Sequence, residues 1–289
     1  MLALDLRVLN RRPQRVSFPH ALAWSAVWVC LAAMFAVLEF FWHGRTNALQ
    51  FVTSYVIELA MSVDNLFLFL LIFRYFKVAD EHQHKVLFLG ILGALLMRGL
   101  FIVTGVGLIR RFSWITYAFG ALLVYSGVNL SRQSQTEIHP ERNPVLRLFR
   151  RIFPVTEEFA GAKFFVRQGG LYATPLLVVL LVVETTDILF AVDSIPVVLS
   201  ITLNAFLLFT SNTFAILGLR SLYFALAGMI ERFHYLHYGL AAVLILSGIK
   251  MLASHYIAVS TEWTLAVVLL VLGASVCASL LHPQSKTME

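Results

Sequence analysis

Five acidic residues lie in the middle of two long apolar stretches of this sequence. These acids are Glu58, Asp64, Glu184, Asp187 and Asp193. The two stretches, at about 48–73 and 171–200, are each long enough to cross a bilayer. An acid near the bilayer centre is costly unless it is paired, protonated or bound to a cation. Two acidic membrane segments therefore predict a cation site at the centre of a transporter.

The donor atoms around these acids indicate which cations would bind. Asn65 and Ser194 each follow an aspartate, and neither apolar stretch contains histidine or cysteine. Sites built only from oxygen suit Mg²⁺, Ca²⁺ or Mn²⁺ and disfavour Cu⁺ and Zn²⁺. The candidate metal ligands are Glu58, Asp64, Asn65, Glu184, Asp187 and Asp193.

Ideal helices would scatter these acids over several faces. Glu184 and Asp187 share a face because they are three residues apart, but Asp193 lies about 180° round the helix from Glu184. A local break in the helix would bring them together. Pro196 predicts such a break, because it has no N–H to bond the carbonyl of Val192. The freed carbonyl would be a further candidate ligand.

The charges in the apolar stretches do not balance. Five acids face two span arginines, Arg98 and Arg220, to which we assign a pairing role. Since an empty site of low dielectric disfavours so many negative charges, some of the acids should carry protons. A divalent cation would displace those protons, and metal would exchange for protons. The alternative, in which the acids only pair with arginine to join helices, leaves more acids than partners.

Composition places the chain in a membrane. Its 289 residues are 59% hydrophobic and only 13% charged, with a mean hydropathy of +0.81, whereas soluble domains are about 25% charged. We therefore predict an all-α bundle that crosses the membrane several times. The net charge of +6 is better explained by basic cytoplasmic loops than by nucleic-acid binding. Cys30 and Cys277 lie far apart without a cysteine or histidine partner, and we interpret them as packing residues.

The apolar runs also predict the topology. They indicate about eight spans, at about 18–42, 48–73, 85–109, 114–131, 171–200, 204–229, 236–254 and 263–281. A cytoplasmic N-terminus puts most of the 22 lysines and arginines on the inner side. This orientation places Arg45, Arg110, Arg111 and Lys250 on the outer side, and Arg98 and Arg220 lie within spans. Both termini are thus expected in the cytoplasm.

The long loop at 132–170 divides the single transporter domain of residues 1–289 into two similar halves. Residues 121–130 resemble residues 242–251, and Asp64 and Asp193 occur in similar surroundings. Each half, 48–131 and 171–254, holds three spans, so the second copy would be inverted relative to the first. Inverted repeats that meet at the bilayer midplane are a common transporter architecture. Chance similarity between apolar helices is the alternative.

The loop between the halves is expected to be cytoplasmic, and part of it has a helical pattern. Apolar and basic residues alternate there with helical spacing: Val145, Leu148, Phe149 and Ile152 against Arg147, Arg150 and Arg151. This pattern predicts either a short amphipathic helix on the inner membrane surface or a solvated linker.

Several of these motifs resemble a known family. They include Tyr55-Val-Ile-Glu58 with Val63-Asp64-Asn65, Phe164-Phe-Val-Arg167, Gly170-Leu-Tyr-Ala-Thr-Pro175, residues 184–196 and residues 210–224. Together they resemble the TerC family of integral membrane proteins, and most of all its Alx-type members, over nearly the whole chain. The resemblance implies an exporter of Mn²⁺, or of divalent cations more broadly, with a link to metal homeostasis and tellurite resistance. It assigns the six candidate ligands to the metal site.

The resulting expectation is a proton-coupled Mn²⁺ exporter of a bacterial inner membrane. It would be no enzyme and would hold no permanent cofactor, with Mn²⁺ as its transported substrate. A membrane metalloenzyme would want a motif such as His-Glu-x-x-His, which the sequence lacks. The alternative is a scaffold or stress-resistance protein, active in tellurite tolerance or membrane-protein insertion, without transport.

Three departures from the family pattern matter. Leu59 stands where lysine usually follows the first glutamate, which makes the site more negative than in typical relatives. Residues 127–130 lack the usual lysine and methionine. Residues 1–6 resemble the end of an additional N-terminal span of longer relatives, so we expect either an upstream start or eight spans in place of nine.

Overall fold

The computed structural model describes residues 18–132, 144–156, 158–167, 170–226, 235–257 and 259–281. Over these residues the chain forms nine α-helices and one two-stranded hairpin, which confirms the all-α membrane fold. The elements are α1 (Phe18–His43), α2 (Arg45–Tyr75), α3 (Asp80–Arg111), α4 (Ile115–Arg132), α5 (Pro144–Ile152), β1 (Phe165–Arg167), β2 (Leu171–Ala173), α6 (Pro175–Leu199), α7 (Ala205–Leu226), α8 (Leu236–Leu252) and α9 (Thr261–Leu281).

Five helices are long and apolar enough to cross a membrane: α1, α2, α3, α6 and α9. The apolar stretches of α7 and α8 are shorter. Helices suit this environment because they satisfy every interior backbone N–H and C=O without water. The number of spans stays a prediction.

Side-chain contacts show how the helices alternate in direction. The rings of Phe35 and Phe51 lie 4.8 Å apart, so α1 and α2 form a hairpin about Gly44. Gly44 has a φ of 86°, a left-handed conformation that glycine adopts without strain. At the same end of the bundle, Arg45 pairs with Glu262 at the start of α9 (2.9 Å).

The opposite end of the bundle carries most of the described basic residues outside the helix interiors. There the Tyr223 hydroxyl of α7 donates to Gln83 Oε1 of α3 at 2.9 Å. The basic residues at this end are Arg74, Lys77, Lys85, Arg132, Arg147, Arg150, Arg151, Lys163 and Arg167. Because α1 begins and α9 finishes at this end, both described ends of the chain lie at the same end of the bundle as α5.

Contacts between the two predicted halves build the centre of the bundle. Helix α2 packs against α7 and α6, α3 packs against α6 and α7, and α4 packs against α8. The last contact is close because Gly120, Gly127 and Gly248 bring the two backbones together. Each of these contacts joins one half to the other, as a site shared between repeats requires. The repeat relation itself stays a prediction.

The described part of the predicted linker is structured. Helix α5 confirms the helical pattern, although its buried side is set by Leu146, which packs against α6. Val145, Leu148 and Ile152 are exposed beside the arginines. Strands β1 and β2 pair antiparallel, with Val166 opposite Tyr172. Contact of α5 with the membrane surface stays a prediction.

The expected helix break at Pro196 is wrong. Helix α6 continues through this residue to Leu199. The proline lies in the last turns of the helix, and Ile195, Pro196 and Val197 are all buried. Proline removes a single hydrogen bond there, and packing holds the flanking turns in place. The acids must therefore be brought together by neighbouring helices and not by a distorted one.

Candidate metal centre

Arg98 lies at the middle of the bundle and joins three helices. The side chain projects from α3 and is only 2% exposed. Its Nη1 donates to Glu58 Oε2 of α2 at 2.6 Å, and its Nη2 lies 3.3 Å from Asp187 Oδ1 of α6. Two of the predicted ligands are thus brought together on one guanidinium, and the prediction that Arg98 pairs with the acids is confirmed.

The two acids on Arg98 have the same sequence spacing as the two aspartates of the predicted repeat. The same interval of 129 residues separates Asp64 from Asp193 and Glu58 from Asp187. Glu58 is fully buried and Asp187 nearly so. One positive charge between two buried carboxylates leaves a net negative charge of one, which favours a further cation nearby.

Asn65 contributes to the same cluster. With its amide oriented so that both atoms have partners, Nδ2 donates to the Met61 carbonyl at 3.1 Å and Oδ1 accepts from Arg98 Nη2 at 3.3 Å. Asn65 is buried on the α2 side of the cluster. A third predicted ligand therefore lies within reach of the guanidinium.

Several buried polar atoms around this cluster have no hydrogen-bond partner among the described residues. They are Ser54 Oγ, Glu58 Oε1, Ser62 Oγ, Arg98 Nε, Asp187 Oδ2, Ser194 Oγ and both amide atoms of Asn212. Buried polar groups are nearly always hydrogen-bonded in proteins. The group of them on α2, α3, α6 and α7 is therefore a candidate place for water or an ion.

Most of these polar residues lie along one face of α2 and one face of α6. Ser54, Glu58 and Ser62 are four residues apart and share one face of α2, and Asp187 and Ser194 share one face of α6. Arg98 bridges Glu58 on the first face and Asp187 on the second, and we call these two faces together the polar strip.

Glu184 is half-buried and lies one turn before Asp187 on α6. Its carboxylate sits directly against Gly93 of α3, in the space that a Cβ atom would occupy. The absence of a side chain at residue 93 therefore sets the position of this carboxylate. Among the described side chains, Glu184 has no basic partner.

Asp193 lies farther along α6, about 9 Å from Asp187 by the rise of a helix. Its Oδ1 accepts a hydrogen bond of 2.7 Å from the Ser126 hydroxyl of α4. Asp193 is thus linked to α4, whereas Asp187 is linked to α3. The side chains of Asp64 and Arg220 are outside the described part of the structure, so the predicted approach of Asp64 to Asp193 stays a prediction.

The structure brings together Glu58, Asn65 and Asp187, and leaves Glu184 and Asp193 on either side of them along α6. Within the described residues, no three acids, histidines or cysteines gather closely enough to hold an ion. The predicted set of ligands did not include Gly93, Ser126 or Asn212. A signal existed for Ser126, which lies in a motif repeated in the second half, and for Asn212, a buried amide in an apolar helix.

Comparison with known proteins gives matches that cover most of this chain. Residues 43–287 match the integral membrane protein TerC family. The chain is 48% identical to an uncharacterised membrane protein of Myxococcus xanthus, STKORF319, over 97% of this chain and 88% of that protein. It is 43% identical to Alx of Escherichia coli strain K12, a proposed membrane-bound redox modulator, over 93% of this chain and 87% of that protein. No solved structure matches.

Proposed function

This chain belongs to the integral membrane protein TerC family, and from that premise we propose that it exports divalent cations, above all Mn²⁺, from the cytoplasm in exchange for protons. The observation that carries the proposal is the buried group of polar atoms without partners around Glu58, Arg98 and Asp187. Buried polar atoms without a partner are costly in a membrane bundle, and a polar ligand that pairs with them would offset that cost.

The donor atoms favour a hard cation. Free carboxylate oxygens of Glu58 and Asp187 and the serine hydroxyls make up the polar strip, and the Asn212 amide lies beside Glu58. Oxygen ligands suit Mn²⁺, and the site offers no nitrogen or thiolate to raise the affinity for Zn²⁺. We therefore expect selectivity for Mn²⁺ over Zn²⁺ beyond the usual order of affinities.

The carboxylates take different parts in this proposal. Glu184 and Asp193 have no basic partner among the described side chains and would bind the cation on either side of the centre. Glu58 and Asp187 would complete the site with their free oxygens. The family motif assigns Asp64 and Asn65 to the metal site, and Asn65 lies within reach of Arg98 in the structure. Protonation of some of these acids in the empty site would balance the charge of the departing metal.

The direct test is Mn²⁺ flux in proteoliposomes under an imposed pH gradient. We expect Mn²⁺ movement opposite to the proton gradient, with empty liposomes as the control, and weaker movement of Zn²⁺. Absence of any proton-dependent flux by folded, reconstituted protein would contradict the proposal.

The alternative is a membrane scaffold for stress resistance, in tellurite tolerance or membrane-protein insertion, that does not transport. The two differ in metal binding by the purified protein. If the protein is a transporter, Mn²⁺ at micromolar concentration should quench its tryptophan fluorescence. This concentration is on the order of the Kd values of other oxygen-ligand sensor sites. A scaffold should show none.

The name of the relative Alx raises redox chemistry as a further question. In this chain Cys30 on α1 and Cys277 on α9 are free and exposed on the outside of the bundle. Under our proposal, replacing both by serine leaves Mn²⁺ export unchanged. If the double serine variant binds Mn²⁺ normally but loses Mn²⁺ export, a thiol-based function would be favoured instead.

A further inference from the structure

We propose that Arg98 is a built-in cation that occupies the centre when no metal is bound, and that the incoming metal displaces it from Asp187. This inference rests on the proposed function and specifies how its site is emptied. Arg98 would then be a positioning residue that limits metal affinity, and not only a link between helices.

The two contacts of the guanidinium are unequal. The bond to Glu58 is short at 2.6 Å, whereas the contact with Asp187 is 3.3 Å. Charge-assisted N–H···O bonds are normally about 2.7–2.9 Å long. The Asp187 contact is therefore the weaker one and the one that would open first, while Glu58 keeps hold of the arginine.

The guanidinium is also incompletely bonded for a structural arginine. A buried ion pair is stabilising only when its remaining polar atoms are satisfied. Here Arg98 Nε, Glu58 Oε1 and Asp187 Oδ2 have no partner among the described residues. The ion pair thus keeps a free carboxylate oxygen on each of two helices, where a second cation can bind.

A metal ion and the guanidinium cannot both bind these two carboxylates at full strength. Two cations a few ångströms apart in a desolvated site repel each other strongly. Displacement needs an acceptor to receive the guanidinium. Asn212 of α7 lies within hydrogen-bonding range of Glu58, and its buried side-chain oxygen has no partner among the described residues. In the proposed exchange Arg98 turns towards this oxygen and keeps its bond to Glu58, so that the displaced charge stays compensated.

This exchange has a consequence for transport. Since the guanidinium competes for the same carboxylates, it lowers the affinity for the metal and helps to release it. A ligand shifts an equilibrium only by its difference in affinity for the two states, so removing the competitor should tighten binding.

The test measures Mn²⁺ binding by the purified full chain through tryptophan quenching. We expect Arg98→Gln to lower the Kd for Mn²⁺ by about tenfold or more, while export in proteoliposomes slows because release is slower. Arg98→Lys has one nitrogen in place of the fork and should lie between Arg98→Gln and wild type. Arg111→Gln, an exposed arginine at the far end of α3, is the control and should match wild type.

The outcomes separate this inference from the proposed function. If wild type neither binds nor moves Mn²⁺, the proposed function fails, and this inference with it. If wild type does both but folded Arg98→Gln or Arg98→Lys binds no tighter, only the displacement of Arg98 is overturned. Should neither variant fold, infrared difference spectra of wild type with ¹⁵N-labelled arginine decide: Mn²⁺ must shift arginine guanidinium bands, and unchanged bands overturn the inference.

Discussion

Asp193 accepts a hydrogen bond from the Ser126 hydroxyl in this structure, and under the proposed function its charge attracts the metal. We predict that Asp193→Asn abolishes Mn²⁺ export while the protein still inserts and folds. The change keeps the size and one oxygen but removes a negative charge, which in a desolvated site is a main attraction for a divalent ion. A half-buried carboxylate without a basic partner among the described side chains is itself costly, so stability should not fall.

This prediction is measured as manganese sensitivity and cell-associated manganese in a strain lacking other exporters, with expression checked. Asp64→Asn should behave alike if the two halves contribute equally, and Asn65→Ala should be milder because water can replace a neutral ligand. Full export by well-expressed Asp193→Asn and Asp64→Asn would rule out these acids as the transport site.

Gly93 offers a second test at the residue scale. A methyl group in Gly93→Ala would occupy the place of the Glu184 carboxylate, whose flexible side chain must then move. We predict weaker Mn²⁺ binding, with little loss of stability because alanine favours a helix. Gly107→Ala is the matched control on the same helix, since a Cβ there meets nothing within 4 Å. Equal Mn²⁺ affinity of the two variants would show that the position of Glu184 is unimportant.

At the scale of elements, the crossing of α4 and α8 depends on glycine. A Cβ on Gly248 would lie 2.7 Å from the Gly120 carbonyl oxygen and 2.9 Å from the Val124 nitrogen. Backbone atoms cannot move aside as a side-chain end can, so Gly248→Ala should force the helices apart. We expect a loss of about 1–3 kcal/mol of stability, typical of overpacking.

Thermal unfolding in detergent measures this effect. Gly273→Ala on α9 is the control, because a Cβ there meets nothing within 4 Å. A Tm of Gly248→Ala equal to that of the control would mean that α4 and α8 do not pack this closely. Since Ser126 of α4 holds Asp193 of α6, we also expect Gly248→Ala to reduce export more than its expression level explains.

At the scale of the whole molecule, the bundle has a basic end and an end with few basic residues. Arg45 and Arg110 lie at the latter, and Arg110 Nη2 donates there to the Leu203 carbonyl at 3.1 Å. Basic loops remain in the cytoplasm during insertion. We therefore predict that the end with α5 faces the cytoplasm.

Cysteine labelling at Ser134 and Ser285 in intact cells tests this orientation. Both positions are outside the described residues, but they follow α4 and α9 at the basic end. We expect neither to react with an impermeant reagent from outside. Labelling of either would reverse or break the predicted topology, and labelling of one alone would also change the number of spans.

The sequence by itself determined the membrane class, the helices and the identity of the polar residues within them. It could do so because an acid or an arginine at bilayer depth is costly, and the surrounding apolar run is readable without knowing its neighbours. The same cost identified Arg98 as a partner of the acids. It also predicted α5, whose periodicity is local.

Only the tertiary structure decided which polar groups meet. Arg98 contacts Glu58 and Asp187, which are 40 and 89 residues away in the chain, and such contacts depend on how each helix is rotated against its neighbours. A single helix would need a break at Pro196 to bring its acids together. In the structure, neighbouring helices bring three of the six predicted ligands together while α6 stays unbroken. The positions of Gly93 and Ser126 became visible for the same reason, because packing between distant segments places them against Glu184 and Asp193.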